Sequence, residues 1–176
     1  MKVYVDAGHV NNSLDCGATW KSRKESKDCL DFAQLLVCNL KALGVSVKLS
    51  RASEKEAKSL TQRTNEANKW GADLYLSIHR NASTMHKADG AETLIYSLAN
   101  ENKVIADKLQ NCMVSVAKFK DRGVKARPDL HVLKATKMIA VLLEVGFIDS
   151  DNDNRLFDDY KIELAGAIAK VIKNHV

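Results

Sequence analysis

Apolar positions along the chain fall into two alternating rhythms. Val3-Tyr4-Val5 lies in a short run, residues 2–6, of β-branched and aromatic residues that predicts a buried strand. A polar loop from Asn11 to Lys24 follows, with Gly17 as a turn signal. From Glu25 to Leu43, residues Leu30, Ala33, Leu36, Val37, Leu40 and Leu43 recur at helical spacing, and Gly44 supplies a stop. Val45 to Leu49 alternates as a half-exposed strand. Ser53 and Glu56 have capping-box spacing and predict a polar helix running to about Trp70, ended by Gly71. Residues 73–79 predict a strand, 80–90 a polar loop, 91–96 a strand and 100–118 a helix. Arg122 begins a loop that carries Pro128, and 130–133 reads as a short extended piece. Residues 139–145 form the last core strand, and Asp158 to His175 a closing amphipathic helix.

Strands alternating with helices predict an α/β fold: a largely parallel twisted sheet of about six strands with helices on both faces. The 176 residues suit one domain spanning 1–176, with no repeat, low-complexity tract or linker. A hydrophobic fraction of 45% and a charged fraction of 28% are those of an ordinary globular chain. The net charge of +5 would favour acidic partners, although ordinary solubility explains it as well. Nucleic acid is not expected, because Lys and Arg are scattered and aromatics are only 6%. No run is long and apolar enough to span a membrane, and residues 1–6 lack the marks of a signal peptide, so synthesis in the cytoplasm is the expectation. Cys16, Cys29, Cys38 and Cys112 form no C-x-x-C pair. The last three read as free thiols used as small hydrophobes, and Cys16 lies close enough to His9 in sequence for a metal role to be considered.

Candidate chemistry gathers at the ends of the apolar runs. His9 closes the first run through Asp6-Ala7-Gly8, and His79 closes Leu74 to Ile78. Glu25 opens the first long helix, and Glu144 ends Ile139 to Leu143. Each has a plain structural explanation: local hydrogen bonds for the histidines, the helix dipole for Glu25, an ion pair with Arg122, Lys125 or Arg127 for Glu144. Taken together they point elsewhere. Residues at the ends of parallel strands converge at one sheet edge. Two imidazoles and a carboxylate suit a catalytic zinc with an open position, and a second carboxylate can act as base. The residues therefore read as those of a zinc hydrolase.

The chain also resembles a family, the type-3 zinc-dependent N-acetylmuramoyl-L-alanine amidases of bacteria and phages. The likeness covers nearly the whole length. It rests on Asp6-Ala7-Gly8-His9, Glu25 with Leu30, Arg51, Arg63 with Asn68, and Ser77-Ile78-His79-Arg80-Asn81-Ala82. Gly90-Ala91-Glu92, Arg122-Gly123-Val124 and Leu143-Glu144-Val145-Gly146-Phe147-Ile148 complete it. The resemblance implies one zinc per chain held by His9, Glu25 and His79, with Glu144 as the catalytic carboxylate. It implies peptidoglycan as substrate and cleavage of the amide joining the lactyl group of N-acetylmuramic acid to L-alanine. Asn81 is a candidate for hydrogen bonding the stem peptide and Arg122 for meeting a substrate carboxylate; His131 reads as a surface or groove histidine.

Val10, Arg80 and Ile139 depart from the family's usual residues and bear on loop shape and substrate preference, not on the metal site. No separate wall-binding domain is seen, a monomer is the default, and action on the wall would follow holin-dependent release or cell lysis. Two rival readings are a zinc peptidase cutting within the stem peptide and a non-catalytic wall-binding module.

Overall fold

Alternation of side chains along the strands decides which face each residue serves. The computed structural model describes residues 1–10, 15–99 and 101–175. On β1 (Lys2–Ala7), Val3, Val5 and Ala7 enter one apolar cluster, and Tyr4 enters another on the opposite face. The same split recurs on β5 (Leu74–Asn81) and β8 (Ile139–Phe147). The larger cluster packs under α1 (Glu25–Ala42), α3 (Asn102–Ala117) and α5 (Asp151–Lys173). The smaller one packs under α2 (Leu60–Trp70) and the single turn α4 (His131–Lys134).

With β4 (Ser46–Leu49), β6 (Ala91–Ile95) and β7 (Asp121–Ala126), the sheet runs β4-β1-β5-β8-β6-β7. Its pairings are parallel except for β6 against β8. A separate small ribbon, β2 (Thr19–Trp20) with β3 (Arg23–Lys24), lies within the segment expected to be a loop. Asn11 to Leu14 of that segment, and Asn100 at the expected start of α3, lie outside the described residues.

Several boundaries differ from the sequence expectation. The capping box that forms is Ser59 with Gln62, not Ser53 with Glu56. Residues 53–58 offer no apolar face to bury, and Glu56 instead accepts from the Ala52 N–H at 2.7 Å. Leu130 to Leu133 is not extended; its core becomes α4, whose Val132 and Leu133 are buried. Residues 121–126 form an edge strand where a loop was expected, because charged residues on an edge carry no apolar signature. Helix α5 begins at Asp151, where the Ser150 hydroxyl accepts from the Asp153 N–H at 3.2 Å and Asp151 and Asp153 complement the helix dipole. Cys38 is exposed on α1, while Cys29 and Cys112 are buried as expected.

Arg80 has turned away from the sheet edge. Its guanidinium donates to Asp28 and to Asn154 Oδ1, each at 2.7 Å, and lies 4.3 Å from the centre of the Phe157 ring. A large cation is thus accommodated between α1 and α5 because every part of it has a partner.

Candidate metal centre

β1 ends at Ala7, and the chain turns sharply to place His9 at φ 58°. The Gly8 N–H donates to Ile78 O at 3.0 Å, which docks this turn on β5. A Cβ on Gly8 would stand 2.6 Å from both His79 Cε1 and Ile78 O. Glycine therefore allows the His9 and His79 rings to approach, and they meet edge-on with centroids 4.8 Å apart. Two buried arginines brace the turn from below. Arg51 donates to Ala7 O, Gly8 O and Ser26 O, tying the end of β1 to the start of α1. Arg63 donates to His9 O at 3.0 Å and pairs with Asp6 at 3.2 Å.

Glu25 is the first residue of α1, and its carboxylate is enclosed by donors. Ala18 N–H reaches Oε2 at 2.8 Å and Arg80 N–H reaches Oε1 at 3.1 Å. His79 Nδ1 lies 2.9 Å and His9 Nε2 3.1 Å from the same Oε1. Asp15 Oδ1 holds the other nitrogen of His9, Nδ1. Burial alone would raise the Glu25 pKa, but the two histidines outweigh it and hold the carboxyl far below its ordinary value. Burial disfavours charge on His9, yet Glu25 and Asp15 carry the ring up to about 9.

Glu144 completes the group through sheet register. His79 pairs with Glu144 across β5 and β8, and Glu144 pairs with Glu92 across β8 and β6. The three side chains thus stand in a row on one face. Glu144 Oε2 is buried with no hydrogen-bond partner among the described residues, and burial pushes the carboxyl up to about 7. The cations once available to it are engaged elsewhere. Arg122 and Lys125 pair with Glu92, and Arg127 pairs with Asp129.

His9, Glu25, His79 and Glu144 line a cleft of about 290 Å³ that also includes Asn81, Arg127 and Leu130. A second hollow of about 210 Å³ continues past His9 and His79 to Leu60 and His131. Asn81 faces the cleft and donates to Glu92 Oε1 at 3.1 Å. Arg122 is directed to Glu92 at 2.8 Å and to Asp89 O at 3.3 Å, outside the residues lining the cleft. His131 is a groove residue, 3.4 Å from the Thr64 hydroxyl. Cys16 turns its thiol to Gly17 O and is not among the converging donors. Sequence reasoning missed Asp15 and Glu92 as partners of site residues, and Arg127 as a cleft residue.

One nitrogen from each of His9 and His79 and one oxygen of Glu25 all lie within 4.8 Å of one another. Two neutral-capable imidazoles, one carboxylate and open cleft space beside them fit a catalytic zinc-type centre. Gly17, at φ +70°, is part of this fit: a Cβ there would stand 2.6 Å from Glu25 Oε2 and 2.7 Å from His9 Cδ2. Gly17→Ala is expected to weaken metal binding by roughly 10–100-fold, the range for disturbing what orients metal ligands. Competition with a chromophoric chelator measures this, with far-UV circular dichroism checking that the fold persists.

Comparison with known proteins places the site in context. Residues 3–174 match the family described as N-acetylmuramoyl-L-alanine amidase. The chain is 36% identical over 178 residues to the N-acetylmuramoyl-L-alanine amidase CwlM of Bacillus licheniformis, covering 99% of this chain and 66% of CwlM. It is 36% identical over 166 residues to the endolysin of Bacillus phage SPP1, covering 88% of this chain and 57% of the endolysin. The chain thus spans less than two thirds of the length of these relatives. A crystal structure of an N-acetylmuramoyl-L-alanine amidase from Clostridium difficile 630 superposes with a TM-score of 0.90 at 30% identity, covering 99% of this chain and 95% of that one.

Proposed function

This chain belongs to the N-acetylmuramoyl-L-alanine amidase family, and we propose that it is a zinc-dependent peptidoglycan amidase with Glu144 as its general base. Its bond would be the amide between the lactyl group of N-acetylmuramic acid and L-alanine. The observation that carries this reading is a buried, unpartnered carboxylate oxygen on Glu144 beside the converging donors of His9, Glu25 and His79.

His9, Glu25 and His79 would hold the ion. The chemistry supplied by zinc in such a centre is Lewis acidity, which acidifies water and polarises a carbonyl. The chain's own residues account for the rest. Asp15 holds His9 Nδ1, which leaves Nε2 directed at the centre. Ala18 and Arg80 N–H groups fix the Glu25 carboxylate in place. Glu144 takes the proton of the attacking water and returns it to the leaving amine of L-alanine. A carboxylate whose oxygen is buried beside the converging donors and lacks a hydrogen-bond partner among the described residues is placed for both halves of that transfer. Asn81, lining the same cleft, offers its amide to the stem peptide.

Digestion of purified peptidoglycan tests the reading. Mass spectrometry should show intact stem peptides bearing new L-alanine amino termini. A chelator should stop their release, and zinc should restore it. Cuts within the stem peptide would make the protein a peptidase instead. No helix among the described residues is long and apolar enough to cross a membrane.

A further inference from the structure

The cleft beside the metal donors contains two arginines, Arg80 and Arg127. Arg80 contributes backbone, since its guanidinium is buried against Asp28, Asn154 and Phe157. Arg127 differs in every respect. Its side chain is 46% exposed, and the guanidinium is within electrostatic range of Glu144 and Glu92. Nε donates to Asp129 Oδ1 at 2.9 Å and Nη2 to Asp129 Oδ2 at 2.7 Å. That clasp uses one edge of the planar group and leaves Nη1 with no partner among the described residues.

The backbone under Arg127 is anchored. Its N–H donates to Ile95 O at 2.8 Å, at the end of β6, and its carbonyl accepts from the Leu130 N–H at 3.2 Å. Pro128 lies inside that turn and restricts it. The residue is thus a cation of fixed position at the rim of the cleft, oriented by Asp129. Asp129 itself is 62% exposed, and an exposed pair of this kind contributes little to stability, so a second carboxylate meets small resistance. Arg122 and Lys125, the nearby alternatives, are both committed to Glu92.

We propose that Arg127 is a specificity residue that binds a free carboxylate of the stem peptide, one residue beyond the L-alanine whose amide is cut. The inference rests on the amidase reading above. It concerns the second stem residue, whose α-carboxylate is either free or amidated according to the source of the wall. An Arg guanidinium takes a carboxylate through charge-assisted hydrogen bonds and has no equivalent contact for the neutral amide.

The test compares two preparations of sacculi with the same stem, one free and one amidated at the second residue. Release of L-alanine amino termini is followed against substrate concentration for the zinc-loaded wild type, Arg127→Gln and Arg127→Lys. The wild type should favour the free carboxylate by about tenfold in kcat/KM, through KM, since one charge-assisted contact is at stake. Arg127→Gln should bring the ratio close to parity, and Arg127→Lys should recover part of it. Zinc content should be the same in all three. A wild type without preference overturns the proposal, as does an Arg127→Gln variant that keeps the wild-type ratio. If the zinc-loaded wild type releases no L-alanine amino termini from either wall, the amidase reading itself fails and this inference goes with it.

Discussion

Glu144→Gln is expected to lower amide hydrolysis by on the order of 10³-fold while zinc content stays near one per chain, about the loss seen when a general base is removed. The same substitution should stabilise the metal-free protein at alkaline pH. In the unfolded chain the carboxyl ionises near 4.5, whereas in the fold burial delays ionisation to about 7. The folded state therefore holds the proton longer, and its stability falls as pH rises from about 4.5 to 7 and then levels off. The gap corresponds to about 3 kcal/mol. Urea unfolding of chelator-treated wild type and Glu144→Gln, at pH 5 and pH 8, isolates this contribution as a difference. The variant should gain roughly 2–3 kcal/mol relative to wild type between the two pH values, part of the gap being already lost at pH 5. An equal pH response in both proteins would show that Glu144 is not a strained acid, and full lytic activity in the variant would remove it from the reaction.

Loss of a metal donor should act differently. His79→Ala is expected to reduce zinc to near zero after dialysis and to lose activity with it, because two remaining donors make a poor zinc site. Glu25→Ala should lose zinc too and in addition leave the Ala18 and Arg80 N–H groups without their acceptor. That adds roughly 1–3 kcal/mol of destabilisation for each buried group left unsatisfied. Elemental analysis and thermal melts in excess chelator separate the two effects. Both variants should melt below the wild type once all are stripped, Glu25→Ala the lower of the two, because it removes the acceptor shared by two N–H groups and two imidazoles whereas His79→Ala removes one of the donors to Glu25. Normal zinc content in His79→Ala would refute the assigned donor set.

The parts of this fold that were legible in the sequence share one cause. β1, β5 and β8 are buried on both faces, so they read as continuous apolar runs, and the residues that break those runs are His9, His79 and Glu144. Glu25 was legible because helix α1 has a strong apolar stripe and an acidic start. What stayed hidden depends on pairing between distant segments. β7 is an edge strand of mixed charge, and β6 runs antiparallel to β8, an orientation no local pattern encodes. Glu92 becomes a partner for Arg122, Lys125 and Asn81 only after that pairing is set. Arg127 likewise enters the cleft through a turn anchored on β6, and residues 130–133 gave too short a signal for α4.

The row of His79, Glu144 and Glu92 across three adjacent strands has an evolutionary consequence. Distances between its members are dictated by main-chain pairing, with neighbouring strands about 4.8 Å apart, and not by the packing of loops. Inserting or deleting one residue within β8 ahead of Glu144 would swing that carboxylate to the opposite side of the sheet and extinguish the reaction in a single event. The turns bearing Ala18, Ala82 and Leu130 border the same cleft without sharing that constraint. Diversification is therefore channelled into those turns, while His79 and Glu144 drift only by substitution.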